Sequence, residues 1–226
     1  MTDPRQLPLA LPARRAQGRA DFFISPSNAL AMAQIDGWTQ WPERKCLLLG
    51  PKGSGKSHIA QVWTTDTGAQ VHSASSLDAM PPEGGHHVIE DCADAIAQDA
   101  TAQERLFHWH NGILSSGGTL LLTGPAPLRS WDITLPDLFS RLEAAPRAVL
   151  EPPDDALLMA LLVKLFEDRH IVPPADLIPY LASRIERSFS AAAQIVDDLD
   201  REALATGRKL GLRLAKELLD KTPDSA

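Results

Sequence analysis

The densest group of residues able to do chemistry lies at residues 50–57, which read Gly-Pro-Lys-Gly-Ser-Gly-Lys-Ser. The segment fits the full GxxxxGK(S/T) pattern, in which glycines let the backbone wrap around phosphate oxygens and consecutive N–H groups form an anion nest. Lys56 stands where its ammonium reaches β- and γ-phosphates, and Ser57 stands where its hydroxyl ligates Mg²⁺. A glycine-rich turn followed by a chance Lys-Ser pair is the alternative.

The elements around this segment favour the phosphate-binding interpretation. Cys46 to Leu49 form a short apolar run typical of a buried strand, and a helical pattern follows Ser57. The N-terminus of that helix adds partial positive charge beside the loop. The sequence therefore predicts a site for ADP or ATP with Mg²⁺. Its loop residues are Gly50, Pro51, Lys52, Gly53, Ser54, Gly55, Lys56, Ser57 and His58.

Two further strand ends carry side chains that suit the same site. Val88-Ile89-Glu90-Asp91 is an apolar strand ending in two acids, which places a carboxylate near Mg²⁺ and its waters. Either Glu90 or Asp91 is a candidate for that role, because the extra methylene of Glu90 changes its reach. Thr123 ends another apolar run, where its hydroxyl would sense a phosphate or position water. The alternative is that the Thr123 hydroxyl only forms a hydrogen bond with the backbone of the adjoining loop.

Strand and helix patterns alternate from residue 21 to about residue 152. This alternation predicts an α/β fold with a five-stranded parallel sheet covered by helices on both faces. Ser25 followed by Pro26 predicts the N-cap and first residue of a helix that runs to about Gly37. The predicted strands are 46–49, 69–74, 87–91, 119–123 and 148–150, and further helices are expected after the loop, around 106–114 and at 135–142.

The pattern changes at Glu151-Pro152-Pro153, after which only helices are predicted. A proline pair and a shift to all-helical sequence indicate a domain boundary near residue 152. The predicted helices span about 154–169, 174–187, 190–206 and 212–220. The chain is thus divided into a flexible tail (1–20), a nucleotide-binding core (21–152) and a helical lid domain (153–226).

Composition and charge restrict the classes of protein to which this chain can belong. Of the 226 residues 44% are hydrophobic, which supports a packed core, and the net charge of −7 argues against broad non-specific DNA binding. No apolar run is long enough for a membrane span. The two cysteines are not expected to form a disulfide, which fits a reducing cytoplasm. Cys46 and Cys92 adjoin predicted buried strands and are expected to be buried hydrophobes. A metal site at the histidine pairs 86/87 and 108/110 is disfavoured, because such neighbours do not converge on a strand or helix.

The tail carries a leucine-rich segment, Gln6-Leu7-Pro8-Leu9-Ala10-Leu11, that has no core of its own. One hypothesis is a short linear motif that docks in an apolar groove of a partner, with Gln6 as polar anchor beside Leu7, Leu9 and Leu11. The other is that these leucines fold back on the domain. Composition does not separate the two.

Almost the whole chain resembles AAA+ ATPases of the DnaA branch. Residues 22–28 are similar to the segment that lines the adenine pocket there, residues 50–57 to the Walker A loop and residues 88–91 to Walker B. Thr123-Gly124 is similar to sensor 1, and Ser140-Arg141-Leu142 to the arginine-finger box. The tail motif, the lack of a helix-turn-helix after the helical region, and the ending at 208–219 resemble the Hda family. Its members are DnaA-related regulators that inactivate the bacterial replication initiator.

This resemblance implies partners and roles. It implies that the tail binds the DNA polymerase III sliding clamp (beta), that DNA is contacted only through the clamp, and that Arg141 acts in trans on ATP bound to DnaA. It also implies that Phe22, Phe23 and Asn28 belong to the nucleotide pocket. No membrane partner is expected, and a homo-oligomer is left open.

The resemblance also has a departure. The sensor 2 position, where the family tends to place an arginine, carries Ser190, and Arg187 lies one helical turn away as a candidate replacement. We therefore expect weak or no intrinsic ATP hydrolysis. The alternatives are a self-assembling AAA+ ATPase such as a helicase or clamp loader, a non-catalytic adaptor between clamp and DnaA, and, more remotely, a small-molecule P-loop kinase.

Overall fold

The computed structural model describes residues 23–221, and its centre is a five-stranded parallel sheet in the order β2-β3-β4-β1-β5. The strands are β1 (Lys45–Leu49), β2 (Gln70–Ser73), β3 (His86–Glu90), β4 (Thr119–Gly124) and β5 (Arg147–Val149). Every residue of the two central strands, β1 and β4, is buried. Continuous apolar runs of this kind are typical of strands covered on both faces. The predicted parallel α/β sheet is confirmed.

The helices cover the sheet from both sides. In chain order they are α1 (Ala29–Asp36), α2 (Lys56–Thr67), α3 (Cys92–Gln98), α4 (Ala102–Ser115), α5 (Pro136–Glu143), α6 (Asp155–Glu167), α7 (Leu177–Ala182), α8 (Phe189–Thr206) and α9 (Leu212–Lys221). Side chains of β1 alternate between two cores, as the pleat requires. Cys46 and Leu48 pack with α1 and α2, whereas Leu47 and Leu49 pack with α3, α4 and α5.

The helices after residue 154 have a hydrophobic cluster of their own. Leu158, Leu162 and Phe166 of α6 pack there with residues of α7, α8 and α9. Within the described range, the buried members of the two sheet cores end at Leu150, and those of this third cluster begin at Leu158. No helix between residues 23 and 221 combines the length and apolarity needed to cross a membrane.

The start of α1 differs from the prediction. Ser25 and Pro26 are not its cap and first residue, because the helix begins at Ala29 with Asn28 at the N-cap. The Asn28 side chain instead accepts a hydrogen bond from Ser25 N (2.9 Å) and donates one to Phe23 O (3.0 Å). These local hydrogen bonds to the backbone hold residues 25–28 in a turn, so the helix begins only at Ala29.

Two other helices also depart from prediction. The sequence predicts no helix directly after the acid pair, yet α3 begins at Cys92, where Asp91 turns the chain with a positive φ of 58°. Four of its seven residues are buried, so packing rather than a capping signal stabilises it. The helix predicted at about 174–187 is limited to Leu177–Ala182.

Candidate nucleotide-binding site

The phosphate loop connects β1 to α2 through two glycines in left-handed conformations. Gly53 has a φ of 73° and Gly55 a φ of 94°, which glycine adopts without strain. Each also faces the start of α8: a side chain at Gly53 would overlap Ser190, and one at Gly55 would crowd the ring of Phe189. Both positions therefore require glycine for conformation and for space.

Lys56 is held by the loop it belongs to. Its Nζ donates hydrogen bonds to Gly50 O and Pro51 O, each at 2.8 Å. Partial burial lowers the pKa of Lys56, while the charges of Asp91 and Asp94 oppose that shift. The ammonium is thereby oriented at the start of α2, beside the backbone N–H groups that would hold a phosphate.

A cleft of about 620 Å³ opens beside the loop. It lies between α2, the ends of β3 and β4, and the helices α6 and α8. The predicted site residues that line it are Lys52, Gly53, Gly55, Lys56, Ser57, His58, Glu90 and Asp91. Residues that sequence analysis did not assign to the site also line it, namely Gln61, Asp94, Gly124, Pro125, Leu161, Lys164, Leu165, Asp168, Phe189 and Ala193.

The acid pair lies at the cleft with the Ser57 hydroxyl. Glu90 ends β3, and its Oε1 is buried without a hydrogen-bond partner in the part of the chain that the structure describes. Asp91 follows in the turn that starts α3. Hydroxyl and carboxylate oxygens are ligands that Mg²⁺ prefers, and a buried carboxylate oxygen without a donor suits a cation. Ser57 with Glu90 or Asp91 would thus hold the ion, which screens phosphate charge when bound.

Thr123 has a position next to this acid pair. It is buried at the end of β4, and its Oγ1 accepts a hydrogen bond from Asp91 N at 3.3 Å. Gly124, the next residue, lines the cleft, and any side chain there would overlap the buried indole of Trp131. In this arrangement Thr123 positions the backbone of Asp91, and a direct role toward phosphate stays a prediction.

The largest feature that sequence analysis missed is the contact between α8 and the phosphate loop. Phe189 N donates a hydrogen bond of 2.6 Å to Gly53 O. Ser188 caps α8 by accepting a bond from Ala191 N at 3.1 Å, and its hydroxyl lies 3.1 Å from that of Ser190. Serine favours N-caps, so Ser188 signals the start of α8, but nothing in the sequence signals the contact of α8 with the loop.

Arg187 is turned toward a different element. Its Nη2 lies 2.8 Å from Asp155 Oδ1 at the start of α6, and both side chains are more than half exposed. Arg187 is absent from the residues that line the cleft. The structure therefore does not bring it to the phosphate loop, and the proposed substitution for Ser190 finds no support in this geometry.

The segment predicted to line the adenine pocket is described only in part. Phe23 is half exposed, while Asn28 is buried and binds backbone of its own turn. Neither residue lines the cleft. Gly50, Pro51 and Ser54 belong to the loop but are not among the residues that line the cleft. Phe22 and the tail residues Gln6, Leu7, Leu9 and Leu11 lie outside the described residues.

Arg141 lies apart from the cleft of its own chain. It is exposed in the last turn of α5, and its guanidinium carbon is 5.4 Å from the centre of the Phe107 ring. An aromatic face at this distance attracts the cation and limits its directions. The geometry leaves the Arg141 guanidinium available to another molecule.

The cysteines and histidines form no second chemical centre within the described range. Cys46 and Cys92 are buried free thiols, and burial raises the pKa of Cys46 to about 12. Between residues 23 and 221, no three His, Cys, Asp or Glu side chains come together as a metal site would need.

No family model matches the chain. Solved structures share its fold. Domain III of the replication initiation protein DnaA from Thermotoga maritima superposes with a TM-score of 0.79 at 19% identity, over 93% of this chain and 98% of that one. A replication initiator DnaA bound to AMPPCP and single-stranded DNA gives 0.63 at 13% identity, over 83% and 67%. A RuvB protein from Thermotoga maritima gives 0.61 at 14%, over 89% and 70%. At these identities the likeness concerns the fold alone, an α/β fold shared with these DnaA and RuvB structures.

Proposed function

We propose that this chain is an AAA+ regulator of replication initiation. It binds ADP or ATP, docks on the DNA-loaded sliding clamp through its tail, and offers Arg141 to ATP held by a DnaA protein. The observation that carries the proposal is the placement of Arg141, which is exposed, backed by Phe107 and remote from the cleft of its own chain. An arginine that neutralises developing charge on a transferring phosphoryl group accelerates hydrolysis by about 10³- to 10⁵-fold.

The nucleotide held by this chain then has a structural role. Its cleft offers the loop, the Lys56 ammonium and two acids, which suffice to bind a nucleotide and Mg²⁺. Among the described residues that line the cleft there is no arginine, and the hydroxyl of Ser190 lies by Gly53 instead. The described lining of the cleft therefore contains groups that bind phosphate. It contains no guanidinium that would stabilise the transfer of a phosphoryl group.

The helices after residue 154 act in this proposal as a lid on the nucleotide. The hydrogen bond from Phe189 N to Gly53 O connects α8 directly to the phosphate loop. A phosphate that fixes the loop would fix α8 with it. Nucleotide occupancy would in this way set the shape in which the chain meets its partner.

In this proposal the tail raises the local concentration of the protein near an initiator at the clamp. If Gln6, Leu7, Leu9 and Leu11 dock on the clamp, this tethering makes the encounter between Arg141 and a nearby initiator effectively intramolecular. No new contact between the two proteins is needed for that gain. Contact with DNA only through the clamp is also compatible with the net charge of −7, which argues against broad non-specific DNA binding.

Hydrolysis of ATP prebound to DnaA tests the proposal. The assay contains clamp loaded on DNA and compares wild type with Arg141→Ala. Arg129→Ala is the matched control, because Arg129 is an exposed arginine that pairs at the surface with Glu143 at 3.7 Å. We expect Arg141→Ala to lose stimulation by at least about 10³-fold and Arg129→Ala to keep it. If both variants stimulate like wild type, the chain is an adaptor without a catalytic arginine.

A further inference from the structure

A buried side chain of α4 holds the start of α5, the helix that carries Arg141. The Oε1 atom of Gln103 accepts hydrogen bonds from Thr134 N at 2.8 Å and from Leu135 N at 3.0 Å. Gln103 is only 7% exposed, and these bonds join residues that are 31 and 32 positions apart in the chain. A buried polar group whose bonds are satisfied makes its surroundings rigid. The backbone just before α5 is therefore fixed to α4.

The start of α5 has no such anchor in its own sequence. Leu135 occupies the N-cap position, and no side chain caps the helix there. Leucine is among the poorest N-cap residues. Pro136 follows at the first helical position and has no N–H group to donate. Gln103 thus supplies, from another helix, the polar contact that the sequence before α5 lacks.

The same face of α4 also reaches the residue near the other end of α5. Gln103 and Phe107 are four positions apart in α4, and residues at this spacing lie on one face of a helix. The guanidinium carbon of Arg141, in the last turn of α5, lies 5.4 Å from the centre of the Phe107 ring. The face of α4 that carries Gln103 and Phe107 therefore contacts α5 at its start and near its end.

Between these two contacts α5 is held by apolar packing. The helix has eight residues, which span about 12 Å, and its buried residues are Leu138 and Leu142. Apolar burial is non-directional, whereas hydrogen bonds require a particular distance and angle. Packing of two leucines alone leaves a short helix free to rotate slightly or to slide. The bonds to Gln103 remove that freedom, and with it the freedom of Arg141 to change direction.

We propose that Gln103 is a positioning residue for Arg141, because it holds the start of α5 so that the guanidinium stays over Phe107. This role rests on the proposed function, in which Arg141 acts on ATP held by a partner. A group stabilises developing charge best when it is already in place before the reaction. A displacement of about 1 Å that originates far from the reacting atoms lowers a rate by about 10²-fold.

Stimulated hydrolysis of ATP on DnaA, with DNA-loaded clamp and increasing amounts of this chain, tests the role of Gln103. Gln103→Leu removes the acceptor, so the maximal rate should fall by about 10²-fold. The concentration that gives half of the maximal rate should stay unchanged, because an arginine that acts only in the transition state adds nothing to binding. Simple loss of folded protein would raise that concentration and leave the maximal rate intact.

Two variants accompany Gln103→Leu in this assay. Gln103→Glu keeps an oxygen that accepts from both N–H groups and should restore the maximal rate to near that of wild type. Trp109→Phe is the matched control, because it removes a different bond of α4, the one from Trp109 Nε1 to Asp78 O at 2.8 Å. It should keep the maximal rate. If the leucine variant does not fold, Gln103→Asn, which is one methylene shorter, replaces it.

NMR spectra of the full chain measure the direction of Arg141 without any partner. Protons near the face of an aromatic ring are shifted upfield, and Phe107→Leu identifies this shift for the δ-methylene protons of Arg141. We expect Gln103→Leu to lose most of the shift, and Gln103→Glu and Trp109→Phe to retain it.

The outcomes separate the role of Gln103 from the proposed function. An Arg141 shift and a maximal rate that both stay at wild-type values in Gln103→Leu would overturn the positioning role. Equal losses in Gln103→Leu and Trp109→Phe would overturn it too. If Arg141→Ala stimulates hydrolysis like wild type, the proposed function fails, and the NMR shift still decides whether Gln103 orients the arginine.

Discussion

Replacement of Lys56 by alanine is expected to remove most of the affinity for ADP. The Lys56 ammonium is half buried and aligned by two carbonyls at 2.8 Å, so it is already in place for a phosphate oxygen. A hydrogen bond that involves a charged group contributes about 1.5–3 kcal/mol. Its loss weakens binding by about 10- to 150-fold. Lys209→Ala is the matched control, because Lys209 is exposed and does not line the cleft, and it should keep the ADP affinity of wild type.

Thermal unfolding with and without ADP measures this loss. At an ADP concentration of about 100 times the dissociation constant, a ligand stabilises the folded state by about 2.7 kcal/mol. For a chain of this length that free energy raises Tm by about 5–11 °C. If Lys56→Ala binds about 100-fold more weakly, the same ADP concentration stabilises it by about 0.4 kcal/mol, or roughly 1–2 °C. An ADP-induced shift equal to that of wild type would refute the assignment of the loop.

The lowered pKa of Lys56 also predicts how the affinity for ADP depends on pH. Burial lowers this pKa below the usual value for lysine, against the opposing charges of Asp91 and Asp94. The ammonium therefore loses its proton at a lower pH than an exposed lysine does. We expect ADP affinity of wild type to fall as pH rises toward this lowered pKa, and that alkaline loss to be absent from Lys56→Ala.

Two further predictions concern the tail and the acid pair. Replacing Gln6, Leu7 and Leu9 by alanine should abolish clamp binding in a titration while ADP still raises Tm, and unchanged clamp affinity would contradict the motif. Thr123→Val removes the hydroxyl that accepts the hydrogen bond from Asp91 N, which should lower the free energy of unfolding in urea by about 0.5–1.5 kcal/mol. Thr65→Val, which removes an exposed hydroxyl on α2, is the control and should change stability by less than about 0.5 kcal/mol.

Local patterns account for the parts of the fold that sequence analysis predicts. The run from Cys46 to Leu49 has no polar residue, and only a strand buried on both faces tolerates that. The phosphate loop is recognisable because its glycines, lysine and serine each meet a different requirement of phosphate or Mg²⁺ binding. By contrast, the turn at Asn28 depends on side-chain bonds to backbone three and five residues away, which compete with a helix signal that was also present.

Contacts between distant parts of the chain were beyond prediction. Nothing near Gly53 in sequence indicates that its carbonyl accepts from Phe189 N, because the two residues lie far apart along the described chain. The small cavity of about 170 Å³ lined by Trp38 and Trp63 could not be predicted either. Its two acids, Asp36 and Asp66, come from α1 and α2, whose ends meet only in the folded protein. Periodicity shows which face of a helix is buried, and it does not show which two helix ends adjoin.

The small residue at position 190 has a physical consequence for the proposed lid. Ser190 lies so close to the Cα of Gly53 that even a methyl group on that glycine would overlap it. A larger side chain at position 190 would have to turn away from Gly53, because the contact between α8 and the loop leaves no room there. The backbone bond from Phe189 N to Gly53 O holds Ser190 in this contact. We expect this backbone coupling of α8 to the loop, together with the exposed Arg141 on another surface, to serve the proposed action on a partner's nucleotide.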